Sequence, residues 1–231
     1  ENLLYEVGKG ATIAFNVLNI GRFKLGASSV GGSKNAIEAA SKYAKERRAF
    51  GEPIAKFDAI IKKIANMTVR TFSADSMVYR TIGLLQNEID QLDSSDPDYY
   101  IKSGEAMENF AIETSMTKVY GSETSHFVVN EGLQIFGGYG FLEEYHLASA
   151  YRDDRINQIW EGTNEINRQI ITGFMMKKAL MEELPIREAV SKIDAFMSNG
   201  KLGNNDGPLA AECETIETGK RLALFVFNEA L

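Results

Sequence analysis

Apolar residues recur along this chain at helical spacing, with no sustained alternation of the kind a half-buried strand shows. Phe57, Ile60, Ile61, Ile64 and Met67 recur at spacings of three and four, which places them on one helix face. That helix starts after Pro53 and reaches residues 88–92, and the face is expected in the core. The same reading predicts a first helix over residues 10–46, a third over 99–136 and an amphipathic fourth over 163–184, ended by Pro185. Turn residues punctuate the pattern: Asp93-Ser94-Ser95-Asp96-Pro97-Asp98 precedes the third helix and Gly137-Gly138-Tyr139-Gly140 closes it. Shorter pieces fall at 142–152 and 156–161, and 186–197 reads as one more helix. Residues 198–208 form a polar, Gly/Asn-rich linker, after which another helical piece begins. The expected fold is all-α: an antiparallel four-helix bundle over residues 1–184, with 185–231 the opening of an additional helical region.

Glycines at 21, 26, 31 and 32 interrupt the first helix, each costing roughly 1 kcal/mol relative to Ala in a helix interior. Compensation is expected either from a second helix approaching closely, the simpler account, or from a ligand lying against this surface.

Composition adds exclusions. Of the 231 residues, 44% are hydrophobic and 25% charged, enough apolar material for a sizeable core. Lys and Arg total 25 against 32 Asp and Glu, and the formal net charge of -7 argues against a nucleic-acid partner. Cys213 stands alone, so no intrachain disulfide forms, and neither it nor His126 or His146 shows metal-ligand spacing. No apolar run approaches the roughly 20 residues a bilayer span needs, and no secretory signal is present. The chain opens without Met and stops within the apolar stretch 222–227, so a segment of a longer protein is expected.

Four segments carry candidate chemistry: Asn19-Ile20-Gly21-Arg22, Glu46-Arg47-Arg48-Ala49-Phe50-Gly51, Gln134-Ile135-Phe136-Gly137-Gly138-Tyr139-Gly140-Phe141 and Ile159-Trp160-Glu161-Gly162-Thr163-Asn164-Glu165-Ile166. Arg47 and Arg48 suit phosphate oxygens, yet basic residues at a helix C-terminus are also favoured by its dipole. Gly137 and Gly138 leave room for a cofactor, yet glycines after a helix are commonly caps, and no strand precedes them as a dinucleotide fingerprint requires. Glu161 sits ahead of a helix, where any carboxylate is stabilised. It could equally be a general base beside Gly162, whose missing side chain makes room for a substrate.

Taken jointly, in this order and spacing, the segments resemble the C-terminal helical domain of the acyl-CoA dehydrogenases over about residues 1–180. Arg47-Arg48-Ala49-Phe50-Gly51, Gln134-Ile135-Phe136-Gly137-Gly138 and Glu161-Gly162-Thr163-Asn164 are the most specific, and Tyr151-Arg152-Asp153-Asp154-Arg155 supports them. The continuation past Leu180 is similar to the very-long-chain branch. The resemblance implies an FAD-dependent enzyme of fatty-acid β-oxidation that converts long-chain acyl-CoA to trans-2-enoyl-CoA. It would act as a homodimer or tetramer, with electron-transfer flavoprotein as acceptor. Glu161 would be the base and Gly162 would pass beside the thioester, with Asn19, Ile20, Gly21 and Arg22 at the substrate. Some relatives carry their base at the position of Gly21, which here has no side chain to serve.

The resemblance also assigns flavin contacts. Arg47, Arg48 and Ala49 would reach the FAD of a neighbouring subunit, and Phe57 with Asp58 would make a second contact, although many members have Gln in place of Asp58. Gln134, Ile135, Phe136, Gly137 and Gly138 would lie along the partner's FAD, and Thr163, Asn164 and Glu165 would make a further contact. Trp160 replaces the usual Tyr or Phe before the base. The chain alone is expected to fold but to be inactive, with weak or no FAD affinity. Bacterial cytoplasm or mitochondrial matrix would suit it, and the extension is a candidate for peripheral membrane contact. An acyl-CoA oxidase and an assembly or scaffold relative are the alternatives.

Overall fold

The computed structural model describes residues 6–186, 188–190, 192 and 207–230. They fall into two compact units, Glu1–Ile171 and Thr172–Leu231. The described elements are α1 (Gly10–Glu46), α2 (Asp58–Asp90), α3 (Tyr99–Asn109), α4 (Ala111–Phe136), α5 (Gly138–Phe141), α6 (His146–Asp154), α7 (Asn164–Leu180) and α8 (Ala210–Ala230). A two-residue hairpin, β1 (Arg48–Ala49) with β2 (Glu52–Pro53), and 3₁₀ turns at Ile54–Lys56 and Arg155–Gln158 complete them. The fold is all-α, as the periodicity predicts.

Small side chains on α1 set the packing of the first unit. Ala36, Ala40 and Ala44 are buried against Met67 of α2, Val128, Val129, Ile135 and Phe136 of α4 and Leu147 of α6. Further back along α1, Val30 meets Ala74 and Val78 of α2. Late residues of α1 therefore face early residues of α2, and the two helices are antiparallel. The pair Thr81–Thr117, 3.2 Å apart, and the Lys63–Glu131 ion pair likewise make α2 and α4 antiparallel. By that alternation α1 and α4 run parallel. They meet where side chains are absent: a Cβ on Gly26 would lie 2.6 Å from Thr117 Cγ2, and one on Gly121 would lie 3.0 Å from the Gly26 Cα. Close packing thus accounts for Gly26. It does not account for Gly31 or Gly32, where an added Cβ meets nothing within 4 Å.

Three details differ from the sequence reading. Ile61 is 50% exposed, because the buried row of α2 continues from Met67 through Thr71, Ala74, Val78, Thr81 and Leu85 and leaves Ile61 at its edge. The helix expected over 99–136 is two helices, broken at Phe110 (φ -98°, ψ 20°) without Gly or Pro. The break lets α3 leave the line of α4 and pack on α1 and α2 with Ala106 inward. The helix expected to run to residue 184 ends at Leu180, where Glu182 takes a left-handed conformation (φ 61°) and Glu183 and Leu184 donate back to the Lys178 carbonyl. Such a reverse turn satisfies carbonyls that a helix end leaves orphaned. Gly137 (φ 61°) ends α4 as predicted.

In the second unit Ala179, Ile186 and Val190 form a small cluster with Leu184 and Phe227 of α8. Residues 186, 188–190 and 192 are helical, while the rest of the helix expected to 197, and linker residues 198–206, lie outside the described residues. No helix among the described residues is long and apolar enough to cross a membrane.

Candidate active site

After the turn Arg155–Gln158 the chain crosses to α7 through Glu161 (φ 56°) and Gly162 (φ 79°), two successive residues in the left-handed region. Glycine adopts it freely, whereas a residue with a Cβ loses about 1–2 kcal/mol there. Side-chain donors hold the turn by its carbonyls. Arg22 Nε donates to Glu161 O at 3.2 Å, and Lys118 Nζ donates to Gly162 O at 2.8 Å. Asn167 Nδ2 lies 3.3, 2.8 and 3.0 Å from the carbonyl oxygens of Glu161, Gly162 and Thr163. Thr163 Oγ1 accepts from the Ile166 N–H at 3.3 Å and so caps α7.

This turn stands the Glu161 side chain on α1. A Cβ on Gly21 would lie 2.5 Å from Glu161 Oε2 and 2.6 Å from Cδ and Oε1. Gly21 therefore does more than lack a rival base: its bare backbone is the seat of the carboxylate. Asn19 and Arg22, on the same stretch of α1, are buried, and Arg22 Nη1 donates to Asn19 Oδ1 at 2.8 Å. Burial lowers the Arg22 pKa, partly offset by Glu161. Ile20, Phe23, Leu85, Ile89 and Met107 line an almost wholly apolar hollow of about 280 Å³ that Asn19 also borders.

Two groups had no role assigned to them from the sequence. Lys118 is fully buried, with Nζ 2.7 Å from Asn164 Oδ1 in addition to the Gly162 carbonyl. Burial and then the Arg22 guanidinium push its pKa down to about 8, against the pull of Glu165, Glu161 and Glu123. It is the one Lys or Arg of α4, in a segment whose other charges are carboxylates, and that isolation was the available signal. The second is Asp154, buried where α6 ends: it accepts from Ser125 Oγ at 2.5 Å and lies 3.4 Å from His126 Nδ1. It fastens α4 to the segment leading to Glu161.

The other candidates gather elsewhere. Arg47, Ile135, Phe136, Gly137 and Gly138 border one open hollow of about 460 Å³, over which Tyr139 also stands. Tyr43 stacks on Phe136 at 4.1 Å between ring centres and forms its floor. Arg47 and Arg48 are exposed, Arg48 Nη2 donating to Gly51 O at 3.0 Å across the hairpin turn, and an added Cβ on Gly137 or Gly138 would meet nothing within 4 Å. Guanidinium donors beside bare backbone suit an anionic dinucleotide. Phe57 caps α2 and packs edge-on to Phe50, with Asp58 exposed in the first turn and Gln134 exposed at the end of α4. Ala49 is half-buried in β1. Asn164 points inward to Lys118 and Ser122, while Glu165 is exposed, its pKa lowered by its own N–H and the Thr163 hydroxyl. From Gly21 to Tyr43 is 43 - 21 = 22 residues of α1, about 33 Å at roughly 1.5 Å per residue, so the carboxylate and this hollow lie far apart.

A helical bundle thus seats a carboxylate, carried on a residue with left-handed backbone, against a bare stretch of helix. The family "Acyl-CoA dehydrogenase, C-terminal domain" matches residues 8–176, and the chain belongs to that family. A probable acyl-CoA dehydrogenase of Bacillus subtilis is 45% identical over 226 residues, covering 97% of this chain and 38% of that protein. The crystal structure of an acyl-CoA dehydrogenase complexed with FAD from Bacillus anthracis is 43% identical with a TM-score of 0.93, covering 98% of this chain and 39% of that one. The caffeyl-CoA reductase-Etf complex subunit CarC of Acetobacterium woodii is 36% identical over 178 residues, 77% of this chain and 42% of that protein. The chain thus spans about two fifths of the length of these relatives.

Proposed function

We propose that this chain carries the catalytic base and part of the flavin contacts of an FAD-dependent dehydrogenase that converts long-chain acyl-CoA to trans-2-enoyl-CoA in fatty-acid β-oxidation. One observation carries the reading: the Glu161 carboxylate rests against Gly21 on a turn whose backbone is gripped by three side chains. A thioester whose α-carbon meets that carboxylate loses its proton to Glu161, while the Glu161 N–H helps polarise the thioester carbonyl. Arg22 holds the carbonyl of the base residue and adds positive charge beside it. FAD, when bound, supplies the hydride acceptor for the β-carbon. The exposed Arg47 and Arg48 with the Gly137-Gly138 backbone would hold a dinucleotide at the far hollow.

Long acyl chains are favoured by the apolar hollow one helical turn from the Glu161 seat. The Etf complex to which the Acetobacterium relative belongs supports electron-transfer flavoprotein as the partner of a homodimer or tetramer.

The test is anaerobic titration of the full-length flavoprotein with butyryl-CoA and palmitoyl-CoA. Bleaching of the flavin band, stronger with palmitoyl-CoA, is expected in the wild type, with loss of at least a thousandfold in rate in Glu161→Gln. A wild type that no acyl-CoA bleaches would sink the dehydrogenase reading in favour of a scaffold, and a Glu161→Gln variant that bleaches normally would move the base elsewhere.

A further inference from the structure

Lys118 is a costly residue. An ammonium taken wholly out of water needs compensation, usually a carboxylate, yet its hydrogen-bond partners among the described residues are the Gly162 carbonyl at 2.8 Å and the Asn164 amide oxygen at 2.7 Å. A Met of similar volume would fill the space without that cost. What sets this lysine apart is where its two acceptors lie: they flank the left-handed pair Glu161 and Gly162 on the C-terminal side. Arg22 grips the turn from α1, Asn167 grips it from α7, and Lys118 reaches the Gly162 carbonyl from α4.

Glu161 gains nothing locally from φ 56°, and a residue with a Cβ relaxes toward the right-handed region when its restraints go. Such a flip would rotate the Glu161 side chain away from Gly21. We infer that Lys118 is a positioning residue for the proposed base: by holding the Gly162 carbonyl and the Asn164 side chain from inside the bundle, it keeps the Glu161 carboxylate seated on Gly21. Ser122 steadies the same arrangement, its Oγ within 3.1 Å of Asn164 Nδ2. The lowered pKa of this lysine agrees with an ammonium held by neutral oxygens and facing Arg22. The groups that face it are Arg22 of α1, Glu123 of α4, Glu161 of the turn and Glu165 of α7.

This inference rests on the dehydrogenase reading, and its test separates the two. The full-length flavoprotein is mixed with a 3-thiaacyl-CoA, whose α-proton can leave but whose β-sulfur offers no hydride, and the long-wavelength absorbance of the resulting enolate against oxidised flavin is read. Lys118→Met is expected to retain its flavin and to bind the thioester within about threefold of wild type by calorimetry, while the band falls at least tenfold per bound ligand. The pH at which half the band appears should also shift. A band of wild-type intensity and pH dependence in Lys118→Met overturns the inference, since a merely structural lysine would change yield or melting temperature and leave the band per bound ligand intact. Where Lys118→Met gives no folded flavoprotein, Asn164→Ala removes one acceptor and keeps the amine; a threefold to tenfold loss of the band supports the inference and an unchanged band overturns it. A wild type that forms no band and is bleached by no acyl-CoA sinks the dehydrogenase reading itself.

Discussion

At the scale of single residues, Gly21 and Lys118 make opposite demands on the Glu161 carboxylate: one must offer no atoms, the other must hold on. The nearest atoms that a methyl group added at Gly21 would meet are the far end of the Glu161 side chain, which can swing away. The helix itself gains from the change, because Ala is better than Gly in a helix interior by roughly 1 kcal/mol. Gly21→Ala is therefore expected to melt no lower than wild type while its flavin reduction slows at least tenfold; thermal unfolding and stopped-flow absorbance on one preparation read both. A lower melting temperature with an unchanged rate would show that the glycine serves packing alone. Lys118 links to pH in a definite direction. Its folded pKa of about 8 lies below the ordinary 10.5, so between those values the unfolded chain binds more protons than the folded one. Stability conferred at this position accordingly rises with pH through that window, the full cost of the buried ammonium being present below pH 8. The difference in unfolding free energy between wild type and Lys118→Met should shift toward the wild type by on the order of 1 kcal/mol from pH 7.5 to 9.5. A difference that stays flat in urea titrations would mean that the lysine is solvated.

At the scale of elements, the interior of the first unit depends on how closely α1 and α4 approach. A Cβ on Gly26 would lie 2.8 Å from the Thr117 carbonyl oxygen, backbone that cannot yield without moving the helix. Gly26→Ala should cost about 2–3 kcal/mol of stability, whereas Gly31→Ala, in open space on the same helix, should add up to about 1 kcal/mol. Chemical denaturation of the pair decides it, and equal effects would mean that helix propensity rather than contact governs both. The helices α1 and α2 and the Gly137 cap were legible in the sequence because apolar period, proline and glycine are local signals. The break at Phe110 was not, since no residue there opposes a helix and the packing of α3 on α1 and α2 imposes it. The site followed the same division. Glu161 and its glycine stood out as a motif, but Lys118, 43 residues earlier in sequence, looks like any solvated lysine until the fold closes over it.

At the scale of the whole molecule, the length of α1 separates the two groups of residues proposed to contact the flavin. Thr163 and Glu165 lie next to Glu161, and Arg47 with Gly137 and Gly138 lies at the other end of the helix, about 33 Å away by the 22 residues from Gly21 to Tyr43. One flavin beside Glu161 cannot also occupy the hollow under Tyr139. If both groups hold FAD, they hold different copies of it, and a chain needs a second chain to complete each flavin site. Retention of the cofactor then becomes a property of the assembly and obeys mass action. The double substitution of Arg47 and Arg48 by Ala leaves the bundle core untouched, since both side chains are exposed. In the full-length protein it is expected to keep the helical circular dichroism of the wild type, and to lose FAD on dilution at least tenfold earlier as followed by flavin fluorescence. Loss of FAD that does not depend on protein concentration would place the arginines in the same chain's flavin site, and no change in retention would leave them to the helix dipole at the end of α1.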